Sequence, residues 1–194
     1  MTATRTIDDI QAPAAGVWSI DPTHTTVEFI ARHLVFTKVR GRFTGVSGAV
    51  TVADDPDASS VEITLDATSI TTGTPDRDAH LKAEDFFDVE KYPVITFKST
   101  SVEWKGQEGT VTGDLTVRGV SKPITLDVEL TGVVTDPWGG DRAVFSASGE
   151  VDREDWGLVW NMALESGGVL VSKKIRFEIE TEIVLQKPEA QSAQ

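Results

Sequence analysis

Cysteine is absent from this 194-residue chain, which removes disulfides, thiolate metal sites and thiol nucleophiles together. Cations are scarce: 18 Lys and Arg against 31 Asp and Glu leave a formal net charge of −13. A nucleic-acid surface needs clustered Lys and Arg to meet phosphates. The basic groupings present, Arg32 to Arg42 and Lys173-Lys174, are too short for that, so the acidic balance reads as a solubility feature. No apolar run approaches the ~20 residues of a membrane-spanning helix, and no transmembrane segment is expected. Met1 to Gly16 holds Asp8 and Asp9 and lacks the apolar stretch of a signal peptide, which points to the cytoplasm. Also missing are the Gly-x-Ser-x-Gly elbow, the phosphate-binding glycine loop and the dinucleotide fingerprint. Enzymatic chemistry is left without a sequence signature.

What is present is period-2 alternation. Val61, Ile63 and Leu65 alternate with Glu62, Thr64 and Asp66; Ile124, Leu126, Val128 and Leu130 alternate with Thr125, Asp127 and Glu129; Ile175, Phe177, Ile179 and Ile183 oppose Arg176, Glu178, Glu180 and Glu182. Such strands turn one face to an apolar interior and the other to water, as antiparallel sheets do. Weaker alternation marks Val17 to Asp21, Thr25 to His33, Arg42 to Val52, Val94 to Trp104, Thr110 to Arg118 and Ala143 to Val151. Turn signals fall at Asp54 to Asp57, Lys105-Gly106, Gly119 to Pro123, Asp136 to Gly140 and Ser166 to Gly168. About eight or nine strands with one-sided apolar faces predict a barrel or a sandwich. Long runs such as Ser172 to Leu185 favour the barrel. The fold class is mainly β, in one domain over 16–186, flanked by disordered tails at 1–15 and 187–194.

One segment departs from the β pattern. Thr74 can cap a helix, Pro75 suits its first position, and Asp76 and Asp78 suit its positive end. Ala79, Ala83, Phe86 and Phe87 then form one apolar stripe, predicting a helix over about 75–87. His80 and Glu84 share a face and could ligate a metal with His33 as third partner, although one such pair is a weak signal. Carboxylate pairs such as Asp85 with Asp88, or Asp152 with Asp155, are better explained as solvated charges and caps.

Several ordered motifs resemble the YceI-like family: Trp18 to Thr25, then His33 with Val39-Arg40-Gly41-Arg42-Phe43, then Arg77-Asp78-Ala79-His80-Leu81, Asp85 to Asp88, Tyr92-Pro93 and Phe97 to Thr100, Gly113 to Pro123, and Asp152 to Leu158. The resemblance implies an extended, eight-stranded, lipocalin-like antiparallel barrel with the short helix near its opening. It implies non-catalytic binding, storage or transport of a polyisoprenoid lipid or isoprenoid quinone, with no further cofactor and no resident metal. Family members are often dimeric, so a homodimer is in scope. Many are periplasmic, which this N-terminus does not match. Alternation then nominates Phe29, Phe43, Ile63, Leu65, Phe97, Leu115, Leu126, Val128, Phe145, Phe177 and Ile179 as ligand-binding wall. Phe86 and Phe87 would close one end, and His33, Arg77 and His80 would meet a polar head group. The competing readings are a metal-dependent enzyme built on His80 and Glu84, and a barrel packed solid with its own side chains.

Overall fold

Long alternating strands joined by tight turns leave their backbone groups one economical solution: pair each strand with its sequence neighbour and close the sheet on itself. The computed structural model describes residues 4–7, 9–163 and 169–186 and shows this arrangement. Its strands are β1 (Thr4–Ile7), β2 (Ile10–Pro13), β3 (Gly16–Ile20), β4 (Thr26–His33), β5 (Thr37–Phe43), β6 (Val46–Val52), β7 (Ser60–Asp66), β8 (Ile70–Thr71), β9 (Val94–Lys105), β10 (Glu108–Val117), β11 (Val120–Thr135), β12 (Asp141–Asp152) and β13 (Lys174–Leu185), with one α-helix, α1 (Pro75–Lys82). The barrel is antiparallel, closed and eight-stranded.

Three of the eight staves are interrupted. One edge of β13 pairs with β3 through Ile183↔Ile20 and with β4 through Phe177↔Phe29, so β3 and β4 are two halves of one stave. By the same logic β5 and β6 form the next, and β7 and β8 the one after. The circuit then runs through β9, β10, β11 and β12 and closes where β12 meets β13. Short polar side chains build the breaks. Asp21 accepts the Thr23 N–H at 2.9 Å, and the Ser69 hydroxyl accepts the N–H groups of Thr44 and Gly45 at 3.1 and 2.9 Å. Asp66 accepts the Thr68 N–H at 2.8 Å. These bonds replace ladder bonds where the chain leaves the sheet.

Four expectations are corrected in detail. Arg42 to Val52 is not one strand but is split at Thr44-Gly45, where the Ser69 hydroxyl takes the two N–H groups and β5, paired with β4, gives way to β6, paired with β3. The turn expected at Gly119 to Pro123 is confined to Arg118 and Gly119, whose φ values of 51° and 73° fit a two-residue hairpin turn that follows the strand twist. Pro123 lies within β11, opposite Asp114. The helix ends at Lys82 and buries no residue of its own. Its expected apolar stripe is not helical: Ala83 to Phe87 continue as turns, and these turns bury Phe86. Thr74 makes no capping bond. Instead the Asp78 carboxylate accepts from the Thr72 N–H and hydroxyl, at 2.7 and 2.5 Å, and from the Thr71 hydroxyl at 2.9 Å.

At the N-terminus, residues expected to be an unstructured tail form a hairpin, β1 on β2, with Arg5 opposite Ala12 and Ile7 opposite Ile10. It is a separate two-stranded sheet. The expected tail at 187–194 and the expected turn at 166–168 lie outside the described residues.

Candidate functional site

The inward faces of the barrel do not meet across its axis. They enclose a cavity of about 440 Å³, within the ~300–1,000 Å³ typical of small-molecule sites. Its wall follows from the alternation: Ile63, Phe97 and Leu115 form one cross-strand row, while Leu126, Val128, Phe145, Phe177 and Ile179 add the facing staves. Phe97 lies flat against the backbone at Gly113, where a β-carbon would come within 2.5 Å of the Lys98 carbonyl oxygen and 2.6 Å of the ring. Only glycine lets the ring lie there.

Nine of the sixteen nominated residues line this space: Ile63, Leu65, Phe97, Leu115, Leu126, Val128, Phe145, Phe177 and Ile179. The other seven do not. Four of them are aromatic rings at the end of the barrel where α1 sits. Phe29 packs on Phe43 with ring centroids 5.9 Å apart, Phe43 meets the edge of Phe87 at 5.7 Å, and Phe86 is buried. Trp156, 4% exposed, joins them and donates its indole N–H to the Leu115 carbonyl at 3.0 Å. Together these side chains make a solid floor. Arg77 is spent on Thr72 and Thr74. His80 stands edge-on to Trp160 and Phe86, at 4.7 and 5.0 Å, with Nε2 3.1 Å from the Asp85 carboxylate. His33 ends β4 and bridges to Val171.

Sequence reasoning missed the roof. Ile7, Ile10, Ala12 and Pro13 of the hairpin line the cavity at the end opposite the floor. Val46, Val50 and Val52 also line it; their i, i+4, i+6 spacing was a legible signal. Inside the wall one polar pair stands out: the hydroxyls of Thr25 and Thr181 are 2.8 Å apart and both residues line the cavity. Two hydroxyls carry two protons and one serves their mutual bond, so the pair retains a free donor. The remaining polar liners, Arg5, Asp55, Asp57, Ser59 and Lys105, sit at the mouth.

The densest charge cluster lies outside the cavity. Arg142 donates to Asp21 at 2.6 Å, to Asp136 at 2.9 Å and to Glu182 at 3.0 Å, tying the β3–β4 break to the β11–β12 turn and to β13. Among the described residues, the group with metal-ligand spacing is Asp21, His24 and Glu182, and the Arg142 guanidinium already supplies positive charge to two of its three members. Burial opposes ionisation of Asp21, but hydrogen bonds from Thr23, His24 and Arg142 outweigh it and hold the carboxyl well below its usual range. Asp136 is lowered by Arg142 and by the Gly140 N–H. Groups lowered on folding add stability that is complete above the unfolded carboxylate pKa of ~4 and is lost as pH falls through the folded value. Arg142→Ala should therefore raise the midpoint of acid unfolding, followed by far-UV circular dichroism between about pH 5 and pH 2. An unchanged midpoint would mean that the cluster does not couple to folding.

The barrel has counterparts among known proteins. The YceI-like domain matches residues 18–183. The chain belongs to the YceI-like family. Protein YceI of Escherichia coli O157:H7 is 42% identical over 136 residues, covering 70% of this chain and 71% of that protein. Protein YceI of Salmonella newport is 36% identical over 165 residues, covering 84% and 83%. Among solved structures, the Campylobacter jejuni YceI protein aligns with a TM-score of 0.69 at 31% identity, covering 80% of this chain and 90% of that one. A polyisoprenoid binding domain from Saccharophagus degradans, implicated in plant cell wall breakdown, aligns with a TM-score of 0.67 at 16% identity, covering 89% and 100%. At that identity the likeness is one of fold. Among the described residues no helix is long and apolar enough to cross a membrane.

Proposed function

We propose that this YceI-like barrel is a non-catalytic carrier or store for a long-chain isoprenoid lipid, with an isoprenoid quinone as the best-fitting form. The observation that carries the reading is the apolar void. The space of about 440 Å³ falls in the size range of small-molecule sites, and most of the residues that line it are apolar, as such sites require. A barrel meant to be solid would fill it. Each methylene-sized group buried there returns ~0.8 kcal/mol, enough for ten or so carbons to offset the cost of ordering a flexible chain.

The form of the ligand is argued from Thr25 and Thr181. A hydrocarbon tail has nothing to accept their free hydroxyl proton, whereas a quinone carbonyl does. A double substitution, Thr25→Val with Thr181→Val, should weaken a short-tailed ubiquinone about tenfold and leave a prenyl hydrocarbon of equal tail length, which has no acceptor, within about twofold. Equal losses for both would remove the quinone from the proposal. The primary test is extraction of protein purified from its own cells into organic solvent, followed by mass spectrometry. A stoichiometric prenyl lipid is expected, and protein that emerges ligand-free and binds no added prenyl lipid defeats the carrier reading. The wall supports the non-catalytic part: apart from Thr25 and Thr181, the polar residues that line the cavity, Arg5, Asp55, Asp57, Ser59 and Lys105, stand beside apolar side chains that make up most of it.

A further inference from the structure

The ligand needs a way in, and the floor does not offer one. Phe29, Phe43, Phe86 and Trp156, each at most 9% exposed, close that end. The opposite end is covered by the β1–β2 hairpin, whose residues precede the 18–183 span of the YceI-like domain. We propose that this hairpin belongs to the ligand site: it is the roof of the cavity, latched by Arg5, and it must lift for the ligand to enter or leave. The inference rests on the carrier reading.

Three observations carry it. Ile7, Ile10, Ala12 and Pro13 turn their side chains to the same cavity as the barrel wall, so a ligand filling the space would touch them. The hairpin shares no ladder with the barrel, so it can move without breaking a stave, and an isolated two-stranded hairpin is marginal on its own. Among the described residues, its side-chain polar hold on the barrel is concentrated in Arg5. Arg5 donates to the carbonyl oxygens of Ala53 at 2.6 Å and Asp54 at 2.8 Å, and lies 3.8 Å from the Asp54 carboxylate. The Arg5 Nε–H is buried without a partner among the described residues, so the latch keeps one donor unspent beside the cavity. Ile10 rests over Gly106 in the β9–β10 turn, while the base of the hairpin is anchored by the buried Trp18, which donates to the Ala14 carbonyl at 3.1 Å. This is a flap with a hinge at Trp18 and a catch at Arg5.

The test uses uncharged N-phenyl-1-naphthylamine as fluorescent probe, displaced by a prenyl alcohol in stopped flow. Arg5→Ala in the full chain should release the probe about tenfold faster with an unchanged thermal midpoint, and Arg5→Lys should recover only part of the retention, because lysine cannot bridge both carbonyls. Removal of residues 2–13 should accelerate release further. Equal release rates in all four proteins would overturn the roof and leave the carrier reading standing. A wild-type protein that takes up no probe would overturn both.

Discussion

Trp156→Ala is expected to cost about 3–5 kcal/mol of stability, the range for deleting a fully buried aromatic. The indole fills the floor at 4% exposure and bonds the Leu115 carbonyl, so truncation opens a hole and orphans an acceptor on the strand that also supplies the cavity wall. For a domain of this size such a loss lowers the thermal midpoint by roughly 10 °C. Trp156→Phe separates the two contributions: it keeps most of the packing and loses the hydrogen bond, at about 1–2 kcal/mol. Urea unfolding measures both. A loss below about 1 kcal/mol for the alanine variant would show that the floor is not a packed unit, and with it would go the claim that the cavity has a closed end.

The second large effect concerns occupancy. Ala147 sits on β12 opposite Val128 and Ile179 and faces the cavity. Ala147→Trp places an indole where the ligand would lie. If the space is hollow, affinity for the naphthylamine probe should fall at least a hundredfold, equivalent to about 2.7 kcal/mol, while stability holds or rises because the void is filled. If the interior were already packed, the same substitution would overpack it and cost about 1–3 kcal/mol. The two outcomes have opposite signs in a single denaturation experiment, so the carrier and the solid barrel cannot both survive it.

The parts of this site that were legible in the sequence share one cause. Period-2 alternation reports which side of a strand faces inward, and it nominated nine residues that line the cavity. It does not report depth along the barrel axis. Phe177 and Phe29 are direct register partners on β13 and β4, yet Phe177 borders the void while Phe29 belongs to the floor. Depth emerges only when the staves break and the turns after α1 fold Phe86 and Phe87 inward, through contacts distant in sequence. His33, Arg77 and His80 attracted attention for their chemistry, but Arg77 and His80 bond to near neighbours in the chain, Thr72, Thr74 and Asp85, and His33 bridges to Val171. The hairpin was hidden by composition. Its four-residue strands are too short to display a period.

The single edge of β13 that holds both β3 and β4 has a consequence in time. Those partners are about 150 residues apart in the chain, and at the ~5–20 residues per second of synthesis the first staves wait on the order of ten seconds or more for the strand that seals them. Until β13 arrives, β3 and β4 on one side and β12 on the other present open, unsatisfied ladders. Slow, late closure of this kind is the expected kinetic signature of such a barrel. The chain's vulnerability to aggregation is concentrated in that interval, when its strong negative charge is the protection at hand.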